Sequence, residues 1–162
     1  ITCVESLLSV YEAQRVIAEL CISVSKGLRR EHLLATGVQV AIKEDNLTVK
    51  QYSAPLEFPT FSAKELFDGA VSLFFEKHKW KRNIRSISVR TYNLVYEKNF
   101  QQLSLGYDID AHEKQEIVDT ALTEIREKQG RDTVFNCCRL LGTKMPTGKS
   151  NYSLLPPASI SY

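Results

Sequence analysis

Asn83-Ile84-Arg85-Ser86-Ile87-Ser88-Val89-Arg90-Thr91-Tyr92-Asn93-Leu94 is the stretch whose reading decides the fold. Ile87 and Val89 alternate with Ser86, Ser88 and Arg90, the period-two pattern of a strand with one buried face. The approach to it is strongly basic: from Glu76 to Arg90 the chain carries Lys77, Lys79, Lys81, Arg82, Arg85 and Arg90 against the single acid Glu76. A strand that packs by one face and presents arginines and hydroxyls on the other suits a polyanionic partner. The plainer alternative is an amphipathic strand with a solvated face.

Immediately before this stretch, Ser62 and Glu65 have the spacing of a capping box, and Phe61 can staple against Leu66. Leu66, Phe67, Ala70, Val71 and Phe74 then form the apolar stripe of a helix. Further upstream, Val38, Val40 and Ile42 alternate with Gln39, Ala41 and Lys43 as a strand. Glu44-Asp45-Asn46 supplies turn chemistry, and a second strand over roughly Thr48–Ala54 returns with Lys50 and Tyr52 on one side. Pro55 and Pro59 are expected to end regular pairing there. A first helix is expected over Val10–Leu28, where Val10, Ala13, Ile17, Leu20, Cys21, Val24 and Leu28 share one stripe. It closes on Lys26, Arg29 and Arg30, cations that favour the negative end of the macrodipole.

Downstream, Phe100–Tyr107 alternates Leu103 and Leu105 with Gln102 and Ser104 and is expected as a fourth strand. A third helix starts near Asp110, turns Ile117, Ala121, Leu122 and Ile125 inward, and stops at Gly130. Its acids outnumber its bases, so it should face away from a nucleic acid. Val134–Leu141 is a short apolar segment of either form. From Thr143 the chain is rich in Ser, Pro and Gly, without acids, and reads as an extended tail or linker. The expected fold is α+β, a four-stranded, mostly antiparallel sheet packed on one face by two helices, with an additional C-terminal helix and tail.

At 162 residues, with 43% hydrophobic and 25% charged content, the chain is long enough for one cored domain of ordinary globular composition. A net charge of +2 excludes little, because local patches matter more than the sum. No apolar run reaches a membrane span, so no membrane partner is expected, and the start at Ile1 without Met suggests a fragment. Cys3, Cys21, Cys137 and Cys138 lack zinc-site spacing and read as free thiols in a reducing, cytoplasmic setting. His32, His78 and His112 stand isolated. Gly148-Lys149-Ser150 is similar to the end of a phosphate-binding loop, but Thr143 occupies the position five before Gly148, where that motif needs glycine. No nucleophile elbow and no paired carboxylates of a two-metal site are present.

In order and wording, these elements resemble the C-terminal little-finger domain of Y-family translesion DNA polymerases, the DNA polymerase IV and UmuC-like group. The likeness spans about 140 residues and is carried by Leu28-Arg29 at the end of a link helix, the Val38–Lys43 strand and Phe58-Pro59-Thr60 with Ser62. It continues in Ile84-Arg85-Ser86-Ile87-Ser88-Val89, Tyr92-Asn93-Leu94, Gln102-Leu103-Ser104-Leu105 and Glu124-Ile125-Arg126 with Gly130. Ser88 stands where the family usually has glycine, and Ser86 where a second basic residue often sits. The resemblance implies a link helix at 1–31, a DNA-binding core at 32–109, a helical extension at 110–142 and a tail at 143–162.

By the same likeness, the fragment grips duplex primer-template DNA through backbone and phosphate contacts and synthesises none. Its parent chain would be an error-prone polymerase of DNA repair, damaged-DNA bypass and the SOS response. The implied DNA contacts are Arg85, Arg90, Lys50, Tyr52, Ser86, Ser88, Thr60, Lys81 and Arg82, with capping the better role for Ser62. No cofactor is implied for the fragment; the Mg2+ of the parent polymerase belongs to a palm domain outside this chain, which with fingers and thumb is an expected partner. Gln102-Leu103-Ser104-Leu105 is similar to the Gln-Leu-Ser-Leu-Phe peptide by which bacterial polymerases dock on the sliding clamp. Gly106 replaces its Phe and Tyr107 follows one place later, and a half-buried strand is the alternative. Two other readings stay open: a sheet-based RNA-binding module, stacking bases on Tyr52 and Tyr92, and a protein-interaction domain whose basic stretch is neutralised by nearby acids.

Overall fold

The computed structural model describes residues 2–97, 109–130, 133–134 and 144. In chain order they form β1 (Thr2–Leu7), α1 (Val10–Arg30), β2 (Leu33–Glu44), β3 (Val49–Thr60), α2 (Ala63–Lys77), β4 (Ile84–Tyr96) and α3 (Ile109–Gln129). The strands make one sheet in the order β1-β4-β2-β3, and every neighbouring pair is antiparallel. Among the described residues this is the expected α+β architecture, and it includes β1, a short strand without clear alternation that the sequence pattern does not announce. Phe100–Tyr107 lies outside the described residues, as do Gln102–Leu105, 135–141 and the tail beyond 144. Residues 1–31, expected as a link helix, supply this edge strand and one of the two covering helices.

The two helices α1 and α2 lie together on one face of the sheet. Ala13, Ile17, Leu20, Cys21 and Leu28 of α1 and Leu66, Ala70 and Phe74 of α2 are buried, as their spacing predicts, and Val16 and Leu73 join them. They close over Val38, Val40 and Ile42 of β2 and Ile84, Ile87 and Val89 of β4. Each large apolar side chain so buried contributes about 1.5–3 kcal/mol, more than a typical helix cap at about 1 kcal/mol. Packing therefore decides where the helices lie. Cys3 and Cys21 are buried free thiols, and burial, aided by the charge of Asp68, pushes the Cys21 thiol up to about 12.

The caps differ from the expected ones. At α1, Ser9 Oγ accepts the Glu12 N–H at 3.3 Å while a Glu12 carboxylate oxygen accepts the Leu8 N–H at 2.7 Å. A Ser-x-x-Glu box is thus realised at Ser9–Glu12. At α2 the Ser62 side chain caps nothing on its own helix. Its hydroxyl donates to Asp119 Oδ2 of α3 at 3.0 Å, and the same oxygen accepts the Ala63 N–H at 3.2 Å. The first turn of α2 is capped in trans.

That contact also reverses the expected orientation of α3. Asp119 is buried, whereas Ile117, Val118 and Ile125 are 69%, 51% and 37% exposed. The helix is seated by its polar side because Arg29 of α1 offers a buried cation to Asp119. Among the described residues nothing covers the apolar stripe, while Asp119 meets the Arg29 cation and the start of α2.

Finally, β3 continues through Pro55 and Pro59 to Thr60. An edge strand pairs on one side only, so it tolerates residues without an N–H. The sheet does register their presence: Gly37 pairs with Pro55 and Ala35 with Thr60, and the register shifts between them.

Candidate nucleic-acid interface

The face of the sheet opposite α1 and α2 is covered by no other described element, and strand pairing fixes what it displays. In a strand, alternate side chains share a face. Val40 and Ile42 of β2 point into the core, so Gln39, Ala41 and Lys43 point out. Across β2, Arg90 pairs with Gln39 and Gln39 with Ser53; Ser88 pairs with Ala41 and Ala41 with Gln51; Ser86 pairs with Lys43. The result is a field of small and polar side chains with cations at Lys43 and Arg90. Small side chains let a flat polar surface approach the backbone of a nucleic acid closely.

Arg85 reaches this field by a different device. Lys43 pairs with Ser86 but Glu44 with Ile84, so Arg85 is the extra residue of a β-bulge in β4. The bulge lets Ile84 and Ile87 both remain fully buried while Arg85 stays exposed. Lys81 and Arg82 are exposed in the loop before β4, which is tied to the β2–β3 turn by the Asp45 N–H to Asn83 carbonyl bond at 3.0 Å. Among the described residues, no acid forms an ion pair with Lys43, Lys81, Arg82, Arg85 or Arg90. Of the rest of the basic stretch, Lys77 pairs with Glu76, and the Arg82 charge reaches the Glu44 carboxylate without an ion pair. Exposed Glu57 lies beyond the register shift that follows Pro55.

Three expected contact residues are placed elsewhere. Lys50 and Tyr52 pair with Ile42 and Val40 and so share the helix-covered face. Lys50 Nζ binds the Glu44 carboxylate, which is 3% exposed and held below the usual carboxylate range by that bond and charge. Tyr52 packs against the core. Thr60 is buried, its Oγ1 accepting the Ser62 N–H at 2.8 Å. The structure thus brings Arg85, Ser86, Ser88 and Arg90 together, with Lys81 and Arg82 at their end, and withdraws Lys50, Tyr52 and Thr60. It adds Gln39, Lys43, Gln51 and Ser53. Gln39 and Lys43 could have been found from the alternation of β2. The β3 pair could not, because its two faces are nearly equal in polarity.

Behind Lys50 lies His78, buried and flanked by Phe74, Trp80 and Tyr52 with ring centroids 5.2, 6.1 and 6.5 Å away. Among the described residues neither ring nitrogen has a hydrogen-bond partner. Burial, then the Lys50 charge, lowers its pKa below the ordinary 6.5, and Glu44 opposes them. The unfolded chain therefore binds this proton more tightly. Stability should be full above about pH 6.5 and fall as pH drops below it. His78→Phe is expected to remove this loss and to raise stability at pH 5, measured by urea unfolding across pH 5–8; an unchanged pH dependence would contradict it.

Gly37 is explained by its neighbour across the sheet. Tyr92 lies over it so closely that a Cβ there would stand 2.2 Å from the ring. Gly37→Ala should displace the ring and cost about 1–3 kcal/mol of stability by overpacking. A variant with wild-type urea midpoint and unchanged tyrosine environment would show the contact to be loose. With Tyr52 on the covered side, Tyr92 is left as the one expected stacking tyrosine on the open face.

Comparison with known proteins bears on this site. Residues 2–105 match the impB/mucB/samB family C-terminal domain. DNA polymerase IV of Acetivibrio thermocellus is 32% identical over 108 residues, covering 67% of this chain and 27% of that protein. DNA polymerase IV 1 of Halalkalibacterium halodurans is 28% identical over 121 residues, covering 74% and 29%. The chain thus spans little more than a quarter of the length of these relatives. A solved complex of a beta-clamp processivity factor and the little finger domain of PolIV aligns over 66% of this chain and 95% of that one, at TM-score 0.49 and 19% identity. By its family match over 2–105, the chain belongs to the impB/mucB/samB C-terminal domain family, the C-terminal domain of Y-family DNA polymerases.

Proposed function

We propose that this domain holds duplex primer-template DNA for a lesion-bypass polymerase, using the open face of its sheet. The observation that carries the proposal is the sheet face that no other described element covers, on which Lys43, Arg85 and Arg90 form no ion pair with any described acid. Cations on a bed of serines, glutamines and alanine bind phosphates and fix register, yet they read no base edges. A polymerase moving over any template needs that combination. The domain contributes grip and no chemistry; nucleotide addition and its metal ions belong to the rest of a polymerase chain.

The reading also takes in a cytoplasmic setting, the palm, fingers and thumb as partners, and a sliding clamp reached through Gln102–Leu105. The clamp contact rests on the likeness of that peptide, in residues outside those described. The test of the main proposal uses the 162-residue chain and two duplexes of equal length and unrelated sequence. The expected result is equal affinity for both and a linear fall of log K with log salt. A strong preference for one sequence, or no binding at low salt with or without an added polymerase core, would overturn it.

A further inference from the structure

Beyond Arg90 β4 changes character. Tyr92, Leu94 and Tyr96 follow at every second position and pair with Gly37, Ala35 and Leu33; Tyr92 lies over Gly37, while Leu94 and Tyr96 stand opposite residues that belong to the core or pack against it. Val95 between them packs against the core. Leu94 is 45% exposed and Tyr96 63%. The strand is held in shape at this point: Asn93 adopts a left-handed φ of 50°, and its carbonyl accepts the Thr36 hydroxyl at 2.8 Å. The strand therefore offers exposed cations and hydroxyls at one end and exposed aromatic and apolar side chains at the other.

We propose that the Tyr92–Leu94–Tyr96 row takes the unpaired bases of a single-stranded extension running on from the duplex held at Arg85, Ser88 and Arg90. The proposal rests on the duplex-gripping reading and deepens it. Duplex DNA hides its base faces in the stack, so an exposed apolar row offers it little. A single strand presents those faces, and an aromatic ring binds any of them without regard to sequence. Continuity with the phosphate-binding end argues for nucleic acid over a protein occupant. The row begins two residue steps, about 7 Å, beyond Arg90 and ends about 20 Å from it, so the duplex would end close to Arg90.

The test measures binding of the whole chain to a blunt duplex and to the same duplex with a single-stranded overhang of about six nucleotides, in each polarity, carrying 2-aminopurine. The overhang of one polarity should tighten binding about tenfold and change the 2-aminopurine fluorescence. Tyr96→Ala should erase that increment and leave the blunt duplex unaffected, and Tyr96→Phe should keep it. Arg90→Ala should weaken both substrates. No increment with either polarity, or one that Tyr96→Ala leaves intact, overturns the stacking proposal and leaves the row to a protein contact. Failure to bind the blunt duplex while a Tyr96-dependent overhang signal persists would sink the duplex reading alone; failure with both substrates sinks the two together.

Discussion

Asp119→Ala should cost about 3–5 kcal/mol of folding stability, the penalty of leaving a buried charge without its partner. Asp119 joins three helices. Its Oδ2 accepts Ser62 Oγ and the Ala63 N–H at the start of α2 and lies 3.1 Å from the Arg29 guanidinium of α1, while Oδ1 accepts Gln115 Nε2 at 3.1 Å. The side chains of Arg29 and Asp119 are 12% and 10% exposed. Burial already lowers the Arg29 pKa, with Asp119 and then Glu116 opposing it. The Phe61 ring, 4.9 Å from the guanidinium carbon, and a 3.2 Å bond to Thr123 remain after the substitution but do not neutralise the cation. Asp119→Asn should fall between, because an amide oxygen still accepts the Ala63 N–H. The double variant Arg29→Met, Asp119→Leu should be near neutral. Urea unfolding measures all three, and a loss below about 1 kcal/mol for Asp119→Ala would show that α3 is not clasped through this pair.

Substitution of Arg85 and Arg90 should have the largest effect on binding. Each phosphate contact adds about 0.9 to the slope of log K against log salt on duplex DNA. Arg85→Ala and Arg90→Ala should each lower the slope by about that amount and weaken every duplex sequence equally. Together, if independent, they should lower it by about 2. Lys50→Met is the informative control, since Lys50 is committed to Glu44 on the covered side of the sheet. It should change stability and leave the slope alone. Unchanged slopes for both arginine variants would remove the phosphate grip from this face.

The parts of this arrangement that were legible in the sequence are those where one face of an element is strongly apolar. Ile87 and Val89 against Ser86, Ser88 and Arg90 placed β4, and Val38, Val40 and Ile42 placed β2. The α1 stripe was equally plain. Less is legible where two faces compete. On β3, Lys50, Tyr52 and Ala54 alternate with Gln51 and Ser53, so neither set is clearly the inner one, and exposed Val49 gives the wrong hint. On α3, the stripe Ile117, Ala121, Ile125 predicts burial, but Asp119 is seated inward by groups 57 and 94 residues away along the chain from it and its neighbour Thr123. No local pattern reports such a partner. The β-bulge at Arg85 was also invisible, although it is what lets an arginine between two core isoleucines face solvent.

The central claim, that the uncovered sheet face is the one that meets DNA, is tested most directly by an amide NMR titration of the 15N-labelled chain with duplex DNA. The account predicts that the amides of Gln39, Lys43, Gln51, Ser88 and Arg90 shift together and saturate at one stoichiometry, while Val16, Leu20, Ala70 and Leu73 in the helix layer stay in place. Shifts confined to α1 and α2, with the β4 amides unmoved, would contradict it.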